Sequence, residues 1–181
     1  IIPNVLDSIL SKSENSYWPS SPSIGWGRKE SLTQGDSHYW GVWWGMEPFE
    51  TYEKKVPRFA SEYGFQGMPT LETVKSMFSE KDTLSKNSVT ILVHQKHPKG
   101  WETINEYMQL DYAIPTDFVQ YNYVSQLLQA RGTQIGIEAH RRAKPYNMGS
   151  LYWQLNDVWP VTSWASLDKL GNWKALHYQV K

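Results

Sequence analysis

Val56-Pro57-Arg58-Phe59-Ala60-Ser61-Glu62-Tyr63-Gly64-Phe65-Gln66 is the stretch on which the fold turns. An apolar run suited to a buried strand ends in a single carboxylate, and a glycine turn follows at once. In a parallel α/β barrel the carboxyl ends of the strands present polar side chains to the mouth. A second stretch has the same form: Met148 to Leu155 reads as a strand, and it runs into Asn156-Asp157 through Tyr152 and Trp153. Carboxylates and tryptophan faces brought to one mouth suit the acetal chemistry and the C–H faces of sugars.

Working outward, helical and strand patterns alternate. Ile1 to Lys12 places Val5, Leu6, Ile9 and Leu10 on one helix face. Tyr17-Trp18-Pro19 is a short strand candidate, and a loop rich in Ser, Pro and Gly follows to about residue 36. His38 to Trp44 is β-prone, Pro48 to Lys54 suits a short helix, and Thr70 stands where it caps a helix carrying Leu71, Val74, Met77 and Phe78. Residues 80–116 read as mostly loop with a short helix near Val89 to Val93. Asp117 to Arg131 patterns as a helix that runs on past Gly132 to Arg142, and Trp173 to Val180 begins a last one. His140-Arg141-Arg142 reads as a basic helix terminus complementing the dipole. Strands alternating with helices favour a parallel sheet with right-handed crossovers. The three or four strands expected are about half of the eight in a closed barrel.

Composition narrows the function classes. The 181 residues allow one domain with a real core, and 18 basic residues balance 18 acidic ones. Zero net charge gives no footprint for nucleic acid or for an anionic membrane surface, and no apolar run reaches the length of a span. Without cysteine there is no thiolate chemistry, disulfide or cysteine zinc site. His94 and His97 lack a third ligand nearby in sequence, so they read as a solvated loop rather than a metal site, and no cofactor is expected. The compositional excess is aromatic, ten Trp and 11 Tyr; most of the Trp read as core or buried loop anchors, and a carbohydrate cleft requires only a few of the ten.

Individual residues carry two readings. Glu62 is either a nucleophile or a surface carboxylate at a strand end, and Trp153 either a platform under a sugar ring or a core residue. Asn156 and Asp157 either orient sugar hydroxyls or cap the loop after the strand. His38 either meets a hydroxyl or is a satisfied interior histidine.

Three motifs in order bear on these choices: Gly35-Asp36-Ser37-His38-Tyr39-Trp40-Gly41-Val42-Trp43, Pro57-Arg58-Phe59-Ala60-Ser61-Glu62-Tyr63-Gly64-Phe65-Gln66, and Leu151-Tyr152-Trp153-Gln154-Leu155-Asn156-Asp157-Val158-Trp159-Pro160. Together, with Ser163-Trp164-Ala165-Ser166-Leu167-Asp168 after them, they resemble the β-mannosidase branch of glycoside hydrolase family 2 nearly end to end. The β-galactosidases and β-glucuronidases of that family share the Glu-Tyr pair but not the Gly-Phe-Gln and Trp-Gln-Leu-Asn-Asp continuations.

The resemblance implies a retaining exo-glycosidase acting on terminal β-mannosides, with residues 1–181 forming strands five to eight, the C-terminal half, of a (β/α)8 barrel. It implies Glu62 as nucleophile, Trp153 closing the sugar subsite, and a cis peptide after Trp153. The acid/base would be the Glu of an Asn-Glu pair on an earlier strand. Asn105-Glu106, the only such pair here, follows the Glu62 strand and does not fit. Candidate neighbours of Glu62 are Arg58 and the aromatics at the end of the Trp40–Trp44 strand; at the position where relatives place a tyrosine on the nucleophile, the resemblance puts Trp44. An open half-barrel would expose strand edges, so self-association through them is expected, and little turnover from the piece alone. A carbohydrate-binding module is the competing class. Such modules are mostly all-β, which the helical stretches here oppose.

Overall fold

The computed structural model describes residues 2–11, 17–80 and 83–181. Three short segments lie side by side. β1 (Ser37–His38) pairs in parallel with β2 (Ala60–Glu62), through Ser37 N–H on Phe59 O (2.8 Å) and Tyr39 N–H on Glu62 O (2.8 Å). On the other side of β2, residues 148–153 also run parallel. Ala60 donates to Gly149 O (2.9 Å), Leu151 to Ala60 O (2.8 Å) and Trp153 to Tyr63 O (2.8 Å). The carboxyl ends of all three segments therefore point the same way. Glu62 and Trp153 leave the sheet at the same end.

The strands are shorter than their sequences imply. The stretch from residue 148 to 155 reduces to a bridge between Ala60 and Ser150, and residues 17–20 take no regular structure. After Trp40 the chain leaves the sheet, with Gly45 N–H on Trp40 O and Glu47 N–H on Gly41 O. Trp43 completes that turn at φ +78°, a conformation few bulky residues adopt. Its N–H reaches the Tyr107 hydroxyl at 3.3 Å, and its ring is buried against Phe65 and Trp164.

Helices cover the segments. α1 (Ile2–Leu10), α2 (Thr51–Lys54), α3 (Leu71–Lys75), α4 (Val89–Val93) and α7 (Ala175–Val180) fall where the sequence pattern puts them, except that α3 ends before Met77 and Phe78, which the pattern placed on it. Thr70 and Ser88 accept from Thr73 N–H and Ile91 N–H as the caps of α3 and α4. α5 (Gly100–Asp111) corrects the reading of 80–116 as mostly loop. Buried Ile104, Tyr107 and Met108 form one face of it, so packing outweighs the weak helix propensities of Thr103, Asn105 and Tyr107.

α6 (Phe118–Arg142) is the long support behind β2, capped by Asp117 at Gln120 N–H (2.9 Å). Two mid-helix glycines let aromatic rings sit against its backbone. A Cβ at Gly132 would strike the Phe49 ring, and one at Gly136 would meet Tyr63 Cε2 at 2.8 Å. Each glycine costs a helix about 1 kcal/mol relative to alanine, offset here by close packing under the sheet. The basic terminus needs one correction. Arg141 and Arg142 are exposed, but His140 is buried and bonded to Ser150 Oγ (2.8 Å), and burial lowers its pKa to about 4. It is neutral and supports the sheet rather than complementing the dipole.

Candidate active site

Glu62 ends β2 with its side chain 19% exposed. One of its oxygens, Oε2, accepts from Trp40 Nε1–H at 2.8 Å, and His38 Nδ1 lies at ion-pair distance, 3.1 Å, from the same oxygen. Among the described residues Oε1 takes no hydrogen bond, so one oxygen is fixed and the other is free. Trp164 packs edge-on against Trp40 (ring centroids 6.1 Å) and braces the donor.

The indole on Glu62 belongs to Trp40, not Trp44. The turn that starts at Gly41 is the reason: Trp40 is the last residue still alongside β2, and Trp44 swings out. Trp44 instead lies edge-on to His97 (4.3 Å) at a separate hollow of about 400 Å³ lined also by Trp43, Met46 and Pro98. Arg58 is not a neighbour of Glu62 either; its guanidinium lies over the Tyr146 ring at 5.0 Å. The solvated-loop reading of His97 is corrected too. Its ring is 7% exposed between Trp43 and Trp44, and burial lowers its pKa. Among the described residues no group of three or more His, Cys, Asp or Glu side chains could hold a metal ion. Nor is any helix there long and apolar enough to cross a membrane.

Trp153 leaves the sheet beside Tyr63 with 44% of its surface exposed, and the Trp153–Gln154 peptide is cis. Gly64 makes this approach possible, because any Cβ there would meet the Trp153 carbonyl. Asn156 is exposed a few residues farther on, its backbone carbonyl taking Gln154 Nε2–H at 2.8 Å.

Asp157 is turned inward, which corrects its reading as a group facing sugar hydroxyls. Its side chain is 1% exposed and takes hydrogen bonds from Ser163 Oγ, Gln154 Nε2 (3.3 Å) and Lys96 Nζ (3.5 Å). Burial raises its pKa against the opposing pull of Ser163, Lys174 and Lys96. Lys174, fully buried below it, donates to Gly67 O (2.8 Å) and Ser163 O (3.3 Å). This cluster ties the C-terminal strap to the turn after Glu62, with Asp157 and Lys174 enclosed and Lys96 partly exposed at its edge.

The sequence pointed to the aromatics of the Trp40–Trp44 strand but singled out Trp44 rather than Trp40, and it gave Asp36, Ser21 and Ser61 no part in the site. Asp36 Oδ2 accepts from Ser21 Oγ (2.5 Å) and Ser61 Oγ (2.6 Å). The available signal was the polar triplet Asp36-Ser37-His38 at the head of a β-prone run.

No protein-family model matches the chain. It is 33% identical over 161 residues to a β-mannosidase of Capra hircus, matching 81% of this chain, and 32% identical over 188 residues to β-mannosidase B of Aspergillus niger, matching 99% of it. A crystal structure of the β-D-mannosidase from Dictyoglomus thermophilum superposes with a TM-score of 0.87 over 97% of this chain at 36% identity. The chain is a β-mannosidase homologue. It spans about a fifth of the length of these relatives, from 18% to 22%. The exo-chitosanase of Amycolatopsis orientalis, at 19% identity and a TM-score of 0.59 over 74% of the chain, shares the fold alone.

Proposed function

We propose that this chain is the C-terminal half, strands five to eight, of the (β/α)8 catalytic barrel of a glycoside hydrolase family 2 β-mannosidase, and that Glu62 is its nucleophile. The observation that carries the reading is the asymmetric hold on Glu62. Trp40 N–H holds Oε2 with His38 beside it, Oε1 takes no hydrogen bond among the described residues, and exposed Trp153 leaves the sheet at the same end. Supporting it are the three parallel segments, the helical cover and the named β-mannosidase relatives.

In this mechanism Oε1 attacks the anomeric carbon of a terminal β-mannoside. The bond to the leaving oxygen breaks as that oxygen takes a proton from a carboxylic acid upstream of this chain. The glycosyl ester on Glu62 is then opened by water, which returns a proton to the same acid and restores the carboxylate. Retention requires the two carboxyl groups to stand ~5–5.5 Å apart. Trp153 serves as the platform under the sugar, and Asn156 lies at the rim.

The test compares this chain alone, the full-length protein and its Glu62→Gln variant, each on a natural and a dinitrophenyl β-mannoside. Glu62→Gln is expected to abolish turnover of both substrates while the far-UV spectrum is unchanged. The chain alone is expected to lack the ~10²–10⁴-fold contribution of general acid catalysis, and to turn over the activated substrate if either. Normal turnover by full-length Glu62→Gln removes the nucleophile assignment. Efficient cleavage of natural substrate by the chain alone removes the upstream acid.

A further inference from the structure

Among the described residues, the indole of Trp40 supplies the one hydrogen bond to the Glu62 carboxylate, 2.8 Å from Oε2. Packing sets the direction of that donor. Trp164 stands edge-on to the Trp40 ring (centroids 6.1 Å apart, planes at 77°) and edge-on in turn to buried Trp43 (5.6 Å, 75°). The backbone on either side is tied as well, through Tyr39 N–H on Glu62 O (2.8 Å) and Gly45 N–H on Trp40 O (3.1 Å). An indole N–H donates and never accepts, so Oε2 must be an acceptor in every state that keeps this contact.

That constraint bears differently on the two steps of a retaining hydrolysis. Oε1, without a hydrogen bond among the described residues, is the oxygen that joins the anomeric carbon, and Oε2 becomes the carbonyl oxygen of the glycosyl ester. A hydrogen bond to a charged oxygen is roughly twice as strong as one to a neutral oxygen. Forming the ester discharges the carboxylate and weakens the Trp40 bond, which opposes the first step. In the second step water attacks the anomeric carbon and the bond to Oε1 breaks, its electron pair returning to the carboxylate. The proton of the water passes to the upstream carboxylate. Charge grows on Oε2 as that bond breaks, and the Trp40 bond strengthens with it. An interaction that is stronger in the transition state than in the state before it accelerates the step.

We propose that the Trp40 N–H acts on the second step, making the Glu62 carboxylate a better leaving group from the glycosyl-enzyme. This role rests on the reading of Glu62 as nucleophile. His38, at ion-pair distance from the same oxygen, is left unchanged in the variants that test it.

The two steps are read separately in the full-length protein with a 2-deoxy-2-fluoro mannosyl fluoride of β configuration. Loss of activity on adding the reagent reports formation of the ester. Return of activity after the excess is removed reports its hydrolysis. Trp40→Phe deletes the N–H and keeps an aromatic ring against Trp164. It is expected to slow the return by about tenfold, the scale of one hydrogen bond to a charged group, and to leave the rate of trapping within about threefold of wild type. If Trp40→Phe misfolds, 3-benzothienylalanine at position 40 is read in the same way, since sulfur replaces the N–H and the bicyclic shape is kept.

An unchanged rate of return overturns the proposed role. So does slowing of trapping as large as that of the return, because the indole would then only hold the carboxylate in place. The position of the label, mapped in the wild type, separates the two claims. With the label on Glu62, an unslowed return removes the role of Trp40 and leaves the nucleophile standing; a label on another carboxylate removes both.

Discussion

Glu62 and Asp157 are both carboxylates that follow neighbouring parallel segments, yet their surroundings are opposite. Glu62 is partly open, with one oxygen held by Trp40 beside His38 and the other unengaged among the described residues. Asp157 is enclosed, both oxygens taken by Ser163, Gln154 and Lys96 above a buried Lys174. A polar group at a strand end is therefore not by position a group of the site. What separates them is whether a lone pair remains to meet a substrate or all are spent on the fold.

That contrast predicts opposite phenotypes. Glu62→Gln in the full-length protein is expected to remove turnover while the urea midpoint stays near wild type. Asp157→Ala is expected to cost ~3–5 kcal/mol of stability, because it strands buried cationic and hydroxyl partners. Equilibrium unfolding and turnover measured on both variants check this. An Asp157 variant of full stability with a damaged KM would put Asp157 back at the sugar.

A smaller effect separates the regions by pH. Burial lowers the pKa of Lys174 to about 7 from 10.5, against the pull of Asp157 and Asp168. Between those values the unfolded chain holds a proton that the folded one has released, so stability rises with pH across that window. Below about 7 both states are protonated and the slope vanishes. Lys174→Met is expected to lose this rise in a pH series of unfolding midpoints; an unchanged slope would mean that Lys174 stays charged in the fold.

The smallest effect lies under the sheet. His140 is lowered by burial to about 4 from 6.5, so the folded state excludes a proton that the unfolded chain binds between those values. Stability falls as pH drops through that range, by at most about 1.4 kcal/mol per pH unit. His140→Gln is expected to flatten this acid limb, read by the same unfolding series.

The helical frame was largely legible in the sequence. Asp117 and the long apolar register announce α6, and Thr70 and Ser88 mark their helices by their own chemistry. α5 was written in the spacing of Trp101, Ile104, Tyr107 and Met108, but its weak formers and the glycine at its start masked it. Strand lengths were not legible, because the same β-prone residues serve a ladder or a tight turn. The turn at Gly41 decides that Trp40 reaches Glu62 and Trp44 does not, and no local pattern carries that choice. Asp157 was misread for a related reason: its fate depends on Ser163, Lys96 and Lys174, which only tertiary contacts bring to it. The Asp36–Ser21 link was hidden in a Ser- and Pro-rich loop that looked like simple connection.

The most direct test of Glu62 as nucleophile is to trap the glycosyl-enzyme. The full-length protein is incubated with a 2-deoxy-2-fluoro mannosyl fluoride of β configuration, whose fluoride departs without a proton and whose ester hydrolyses slowly. The digest is then sequenced by mass spectrometry. One label per active site is expected, on Glu62 in the Arg58-Phe59-Ala60-Ser61-Glu62-Tyr63 stretch, with activity lost in proportion. A label on another carboxylate, with Glu62 unmodified, would contradict it.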